Sequence, residues 1–288
     1  MQLGQQISHP IKKGVHLSVG CNFKVAAIQM NSLPGKVVDN HTRASELIHQ
    51  SAEMGARLIV LPELFSTGYR TEELDDKLAQ VIPGGETTNW MQELCRRYGI
   101  VLVASILEHG QIRGLIYDTA LTVDASGVLA IYRKIHLWDR ENLRFARGQK
   151  FQNVDLGFTK LGMQICYEVG FPEGARILAI KGADILAYPS AFGRERLYAW
   201  DIATRARALE NGVYVIAANR SGEEKNDTFF AGHSRIINPR GEVVAEASLE
   251  NEVLVADVDH NLIGQQRRQL PYLRDLNTAL INRFLCDL

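Results

Sequence analysis

Gly55-Ala56-Arg57-Leu58-Ile59-Val60-Leu61-Pro62-Glu63-Leu64-Phe65 is echoed later in the chain by Gly182-Ala183-Asp184-Ile185-Leu186-Ala187-Tyr188-Pro189-Ser190-Ala191-Phe192. Each stretch opens on a glycine suited to ending a helix, runs on as an apolar segment of strand length, and reaches a proline. The offset is constant at 127 residues, from Gly55 to Gly182. Helix, turn, strand and proline recur in register, which points to two similar half-units facing each other across a pseudo-twofold axis. The ends of strands 57–61, 184–188 and 161–165 then meet at one mouth. That places Glu63, Cys166 and Ser190–Phe192 in a common pocket.

Helix and strand alternate outward from these two stretches. Residues 24–30 read as a buried strand, and a helix follows over 38–55 with Asp39 or Asn40 as its cap. A second helix starts at Thr87 or Thr88 and ends near Gly99, before a strand at 100–106. Residues 115–123 and 128–132 read as a hairpin around Ala125-Ser126-Gly127. Helices over 172–181, with Pro172 in the first turn, and over 198–211 alternate with strands at 184–188 and 213–218. Strands at 229–237, 242–247 and 252–258 complete the set. The expected class is α/β, with mixed sheets and helices outside them.

Composition narrows the function. The chain has 288 residues, of which 46% are hydrophobic and 23% charged, enough for a large core. A formal net charge of -1 gives no electrostatic reason to expect nucleic acid or an anionic membrane as partner. No apolar run approaches the ~20 residues of a membrane span. Residues 1–23 read as an N-terminal extension, in which Val15–Val19 is too short for a secretory segment. A domain over 24–262 and a tail over 263–288, packed on a partner subunit, follow. Cys21, Cys95, Cys166 and Cys286 show no paired spacing, so a reducing, cytoplasmic setting is expected. No Cys-x-x-Cys or His-x-x-x-His pattern suggests a metal site. Cys95 reads as a small buried hydrophobe.

Cys166 is different. It ends the apolar run Leu161-Gly162-Met163-Gln164-Ile165 and precedes Phe171-Pro172-Glu173. A thiol where a strand gives way to a helix meets backbone N–H groups that favour negative charge. Glu63 closes one apolar run and Lys134 closes another, Ala130-Ile131-Tyr132-Arg133. Alone, Glu63 would read as a turn cap and Lys134 as a solvated strand-end lysine. Together with Cys166 they supply a nucleophile, a base and a cation.

Leu61-Pro62-Glu63-Leu64-Phe65, Tyr132-Arg133-Lys134-Ile135-His136-Leu137 and Gly162-x-x-Ile165-Cys166-Tyr167-Glu168-x-x-Phe171-Pro172-Glu173-x-x-Arg176 resemble the three motifs of the nitrilase superfamily of carbon–nitrogen hydrolases. The resemblance spans roughly residues 24–260. It includes Arg207-Ala208-Leu209-Glu210-Asn211 and Gly232-His233-Ser234-Arg235 before Pro239-x-Gly241. It implies an αββα sandwich, a triad of Glu63, Lys134 and Cys166, no cofactor or metal, and a homo-oligomer built from αββααββα dimers. Glu63 would take the thiol proton and return it to the leaving ammonia or amine, a role for which burial should raise its pKa. Lys134 and the backbone N–H of Tyr167 would stabilise the oxyanion. Many members carry a glutamate shortly before an aromatic and a glycine. Glu141-Asn142-Leu143-Arg144-Phe145-Ala146-Arg147-Gly148 fits, so Glu141 becomes a fourth member that orients Lys134 or a substrate nitrogen.

Phe65, Tyr69, Trp138 and Phe192, with Ser190 and Ala191, are the expected pocket walls. His136 and His233 read as structural, because the family uses glutamate as its base. Glu173 and Arg176 stand one helical turn apart and read as an ion pair or helix-start contact. The Tyr167-Glu168 pair mixes the tryptophan–glutamate habit of nitrilases with the tyrosine–aspartate habit of amidases. Phe171-Pro172-Glu173-x-x-Arg176 and the compact length favour an amidase acting on a small-molecule amide. Members that bind a substrate carboxylate often place arginine two to four positions after the cysteine. Glu168, Val169 and Gly170 stand there, so a neutral or cationic amide is expected. Nitrile hydrolysis, N-carbamoyl amine hydrolysis and acyl transfer to another nucleophile share the same thioester route. A catalytically idle binding module is the reading from another class, and the intact Glu63, Lys134 and Cys166 speak against it.

Overall fold

The structure, a computed structural model, describes residues 22–225 and 227–286. Nearly all of the expected N-terminal extension lies outside the described residues, and Phe23 already belongs to the first strand.

Alternation of side chains along the strands decides the layers. In β1 (Phe23–Gln29) and β2 (Ala56–Val60), Val25, Ala27, Leu58 and Val60 face one way and pack between the two sheets. Ala26, Ile28 and Ile59 face the other way, onto helices α1 (Val37–Glu53) and α3 (Glu86–Tyr98). Both faces are covered, which is why these strands read as continuous apolar runs. With β3 (Val101–His109), β4 (Ile116–Asp124), β5 (Gly127–Arg133) and β14 (Glu252–Val258) they make a six-stranded sheet in the order β14-β1-β2-β3-β4-β5.

The second sheet has the order β13-β12-β9-β8-β7-β6. Its strands are β6 (Asn153–Asp155), β7 (Lys160–Met163), β8 (Ile185–Ser190), β9 (Tyr214–Asn219), β12 (Arg235–Ile237) and β13 (Val243–Glu246). Helices α5 (Pro172–Ile180) and α6 (Leu197–Asn211) are the crossovers between its parallel strands. Read from β14 in the first sheet and from β6 in the second, each has one antiparallel pair, then two parallel pairs, then two antiparallel pairs. The αββα sandwich and its internal pseudo-twofold are therefore present, with β2 matching β8. Gly99 and Gly212 end α3 and α6 in the same left-handed conformation, at φ 65 and φ 56. That conformation suits glycine and repeats in both half-units.

The remaining pieces are short helices α2 (Asp75–Leu78) and α4 (Glu141–Arg144), and the ribbon β10 (Glu223–Glu224) with β11 (Thr228–Phe229). C-terminal helices α7 (His260–Gln269), α8 (Tyr272–Asp275) and α9 (Thr278–Cys286) follow. Among the described residues, no helix is long and apolar enough to cross a membrane.

Several expectations need correction. The residue before α1 is Lys36, while Asn40 lies inside the helix and turns inward. Its amide donates to the carbonyls of Leu33 and Ser66 and accepts from the Leu33 N–H. Gly85, rather than Thr87 or Thr88, precedes α3. The strand expected over 229–237 breaks after Phe229 and resumes at Arg235. Between them Gly232 and His233 have φ 62 and φ 49. The N–H groups of Ala231, Gly232 and His233 go to Phe192, Arg220 and Ser248, so no single neighbouring strand claims this segment. Arg176 does not pair with Glu173; its guanidinium donates to the Glu210 carbonyl at 2.6 Å. The packed unit also runs past residue 262. Ile263 and Gln266 of α7 are buried against this same chain, and Arg267 donates to the Ala183 carbonyl.

Candidate active site

β2, β5 and β7 end at the same edge of the sandwich, and each delivers one charged or nucleophilic side chain there. Lys134 follows β5, and its amine is wholly buried. It donates to Glu63 Oε1 at 2.6 Å and to Glu141 Oε1 at 2.8 Å. A buried ammonium survives only when carboxylates surround it. Burial opposes the Lys134 charge, but Glu141, Glu63, Cys166 and Asp118 outweigh it and hold the group well above the usual lysine range.

Glu63 is fixed at both oxygens. Oε1 takes the lysine proton, and Oε2 accepts the N–H of Ala191 at 2.8 Å. The Glu63 N–H in turn donates to the Ser190 carbonyl, so the two repeated stretches clasp each other. Burial alone would raise the Glu63 carboxyl. The charge and hydrogen bond of Lys134, with the neighbouring Asp118 and Cys166 acting in the same direction, reverse that and hold it below the ordinary glutamate value. This corrects the expectation of a raised pKa: the resting base is ionised.

Cys166 opens a 3-10 turn over Cys166–Gly170 and has φ 49, a conformation that costs a non-glycine residue. The turn is held by Glu168, which is fully buried. Its carboxylate accepts N–H groups of Ile165, Ile135 and His136 at 2.9, 3.1 and 3.1 Å, and the Tyr132 hydroxyl at 2.7 Å. Ile165 precedes Cys166 and Ile135 follows Lys134, so one carboxylate sets the nucleophile against the cation. Burial and the charge of Glu63 push the Cys166 thiol well above its usual value. A thiolate forms here only when a base takes the proton.

Glu141 opens α4 and accepts from the Tyr69 hydroxyl at 2.7 Å and the Trp138 N–H at 2.8 Å. Burial and Glu63 push its carboxyl up, against the pull of Lys134. Gly148 is required nearby, because a Cβ there would lie 1.9 Å from the Arg133 carbonyl oxygen.

The nucleophile opens into a cavity of about 510 Å³, within the range of small-molecule sites. Tyr69, Trp138, Glu141, Cys166, Tyr167, Ala191 and Phe192 line it. Two expected walls do not. Phe65 is fully buried on the outer face of the first sheet, beside His41 and Trp90. Ser190 is buried and its hydroxyl donates to the Tyr188 carbonyl. His136 stacks on Phe171 at 4.0 Å, and His233 sits 2.9 Å from Glu246, both apart from the triad.

The sequence reading missed three features. Asp118, on β4, is fully buried with Oδ2 3.6 Å from the Lys134 nitrogen. An aspartate inside the apolar strand Ile116–Asp124 was itself a signal, since strands are depleted in aspartate. Glu224, on β10, pairs with Arg220 and accepts the N–H groups of Tyr69 and Arg70 at 3.0 and 2.6 Å. It thereby holds the loop from which Tyr69 reaches Glu141. Arg140, Arg194, Arg196 and Phe229 also line the cavity. Glu63, Asp118 and Glu141 each place an oxygen within 4.8 Å of the others, the kind of spacing that can hold a metal ion. Here the Lys134 ammonium occupies the cation's position among them.

The family model described as carbon-nitrogen hydrolase matches residues 24–268. A nitrilase of Pyrococcus abyssi is 40% identical over 267 residues, covering 90% of this chain and 97% of that protein. The omega-amidase NIT2-A of Xenopus laevis is 36% identical, with 90% and 97% coverage. A solved structure of a variant of the amidase from Nesterenkonia sp. AN1, with acrylamide added to its active-site cysteine, superimposes with a TM-score of 0.80. It is 27% identical and covers 91% of this chain and 99% of that one. Fold, site and relatives agree: the chain belongs to the carbon–nitrogen hydrolases of the nitrilase superfamily.

Proposed function

We propose that the protein cleaves a small amide to a carboxylic acid and ammonia or an amine, through a thioester on Cys166. The supporting observation is the Lys134 ammonium, bonded to Glu63 and to Glu141, the second of which lines the same cavity as Cys166. A free thiol near pKa 8.5 is only about 3% thiolate at pH 7, a deficit of roughly 2 kcal/mol. Burial enlarges that deficit, so Glu63 takes the proton as sulfur adds to the carbonyl carbon. The new oxyanion meets the remaining N–H of Lys134 and the backbone N–H of Tyr167. Collapse breaks the C–N bond, and Glu63 passes its proton to the leaving nitrogen. Water then adds to the thioester while Glu63 takes one of its protons. The second collapse breaks the C–S bond and releases the acid, and the proton returns to sulfur.

Names among the relatives include both a nitrilase and an omega-amidase, so the branch rests on the site. A nitrile develops charge on nitrogen at the first addition and needs a proton donor where Lys134 stands. Glu63 and Glu141 hold that lysine charged and favour its oxyanion role. Comparison of kcat/KM for one acyl group presented as amide and as nitrile is expected to favour the amide. A clear preference for the nitrile contradicts the amidase assignment. Glu141→Gln is expected to lower kcat on the amide by about 10²-fold, with KM little changed.

The expected neutral or cationic substrate now has a competitor. Arg194 and Arg196 line the cavity, and the carboxylate within salt-bridge reach of Arg196, Glu195, is 3.7 Å away and mostly exposed. An amide that carries a carboxylate finds cationic partners there despite Gly170, and the substrate panel should include such amides.

A homodimer formed through the α5–α6 face belongs to the same proposal. Leu178 and Trp200 are buried within the chain, but Ile180, Tyr198 and Ile202 are 49%, 71% and 66% exposed on neighbouring helices. Light scattering at micromolar concentration is expected to give at least twice the chain mass of 32.2 kDa. A mass near one chain refutes the pairing.

A further inference from the structure

Asp118 is the buried ionisable group for which the mechanism above has no use. It sits on β4 with no exposed surface, beside β5, which leads to Lys134, and separated by β3 from β2, which leads to Glu63. Its backbone carbonyl accepts the Lys134 N–H at 2.9 Å. Its side chain makes a directed chain toward Glu63. Oδ1 accepts the Ser105 hydroxyl at 2.7 Å, and the Ser105 oxygen accepts the Leu64 N–H at 3.0 Å. Leu64 adjoins Glu63 and has φ 49, so this chain holds the base's neighbour in a conformation it would otherwise leave.

Oδ2 is the unexplained atom. It is buried, and no donor among the described residues reaches it. The Lys134 nitrogen is 3.6 Å away and already spends two of its protons on Glu63 and Glu141. The Asp118 carboxyl stands beside the Glu63 carboxylate, with an oxygen of each within 4.8 Å, and that neighbour is an acceptor with no hydrogen to give. Two carboxylate oxygens meet in a dry site only when one of them carries a proton. Three negative charges around a single ammonium would also leave the cluster with an uncompensated surplus.

We propose that Asp118 is a positioning residue that works as a neutral carboxylic acid, donating its Oδ2 proton to Glu63 and so keeping that base ionised and aimed at Cys166. Of the two carboxyls, Asp118 is the one pushed well above its usual value, by burial and by the charge of Glu63, while Glu63 is held below its own. The charged or titratable groups around the pair are Lys134, Glu141, Cys166, Tyr69 and Arg220, the last already paired with Glu224, and the lysine bonds Glu63 and Glu141 rather than Asp118. No proton is consumed in the cycle. Asp118 keeps its own while Glu63 exchanges one with sulfur, leaving nitrogen and water.

The proposal rests on Glu63 being the base for Cys166, but its test need not rest on the substrate. Covalent capture of Cys166 by methyl vinyl sulfone, a small Michael acceptor with no amide or nitrile for the site to cleave, is located by peptide mass and reads thiol deprotonation directly. The second-order rate is measured between pH 4 and pH 9 for the native protein, Asp118→Asn and Asp118→Ala, with thermal melts alongside. Asparagine accepts from Ser105 and donates an N–H to Glu63, so capture should stay within about 3-fold of native, with the same acid limb. Alanine removes the donor. Capture should slow by at least ~10-fold, and the acid limb should move to higher pH, because Glu63 loses a bond that favours its ionised form. An asparagine variant that folds yet captures the sulfone as slowly as alanine overturns the proposal, since Asp118 is then needed as an anion. An alanine variant with native rate and native limb overturns it as well. If the alanine chain does not fold, the asparagine result decides alone. Normal capture combined with failure to turn over any amide would overturn the amidase assignment and leave the role of Asp118 standing.

Discussion

Replacing Cys166 with alanine is expected to remove turnover by about 10⁴-fold or more while the protein stays folded. The thiol makes no hydrogen bond on which the fold depends. The turn that presents it is held by Glu168 through Ile165, Ile135, His136 and Tyr132, none of which changes. Removing one sulfur from a site that opens into a cavity costs little packing, so the thermal midpoint should stay close to native. Cys95 cannot substitute. It lies on the outer face of the first sheet, against the Val123 carbonyl, with its thiol pushed up to about 12 by burial. More than trace activity in the alanine variant contradicts Cys166 as nucleophile.

Lys134→Met is expected to damage both stability and chemistry. The ammonium is the hydrogen-bonded counter-charge of Glu63 and of Glu141, and all three side chains are at most 1% exposed. Taking one partner from a buried charged cluster typically costs about 3–5 kcal/mol, because the groups left behind keep their desolvation penalty. Part of that loss is relieved as one carboxylate takes up a proton. Glu63 is the damaging choice, because a protonated Glu63 no longer serves as a base. Loss of an oxyanion donor alone is worth about 10²–10³ in kcat, and loss of the base adds to it. Urea unfolding and kcat on the best amide measure the two effects separately. Native stability in this variant would show that the carboxylates do not depend on Lys134.

Both predictions use residues that stood out in the sequence, and the reason is local. Lys134 comes directly after its strand, and Glu63 and Cys166 each come three residues after theirs, so the pattern that predicts the strand also fixes where the side chain emerges. The repeated stretches ending in Pro62-Glu63 and Pro189-Ser190 likewise made the pseudo-twofold readable, because each half-unit builds its own parallel core. Where side-chain parity fails, the reading failed. Leu64 takes φ 49, and beyond it Phe65 packs beside His41 and Trp90 instead of lining the cavity. Gly232 and His233 interrupt the strand expected through 229–237 in the same way.

Other features were invisible because they are made by contacts across the sandwich. The sign of the Glu63 shift depends on the meeting of β2 with Lys134 from β5, which no local pattern states. Arg194 and Arg196 reach the cavity from a 3-10 helix beyond β8, far in sequence from the cysteine they flank. Glu224 acts through the backbone of Tyr69 from 155 residues away. Asp118 was legible as an oddity in an apolar strand, but its partner Ser105 lies on β3, and Glu63 stands beyond the end of β2.

The central claim is that acyl groups pass through Cys166. The most direct measurement mixes enzyme with the best amide from the panel, quenches in acid within milliseconds, and weighs the intact chain and its peptides. The account predicts a mass increase equal to the acyl group, on the peptide that contains Cys166, with ammonia or amine released at the same rate. Turnover with that peptide always at its native mass, and no acyl group carried by any other residue, would contradict it by showing direct attack of water on the amide.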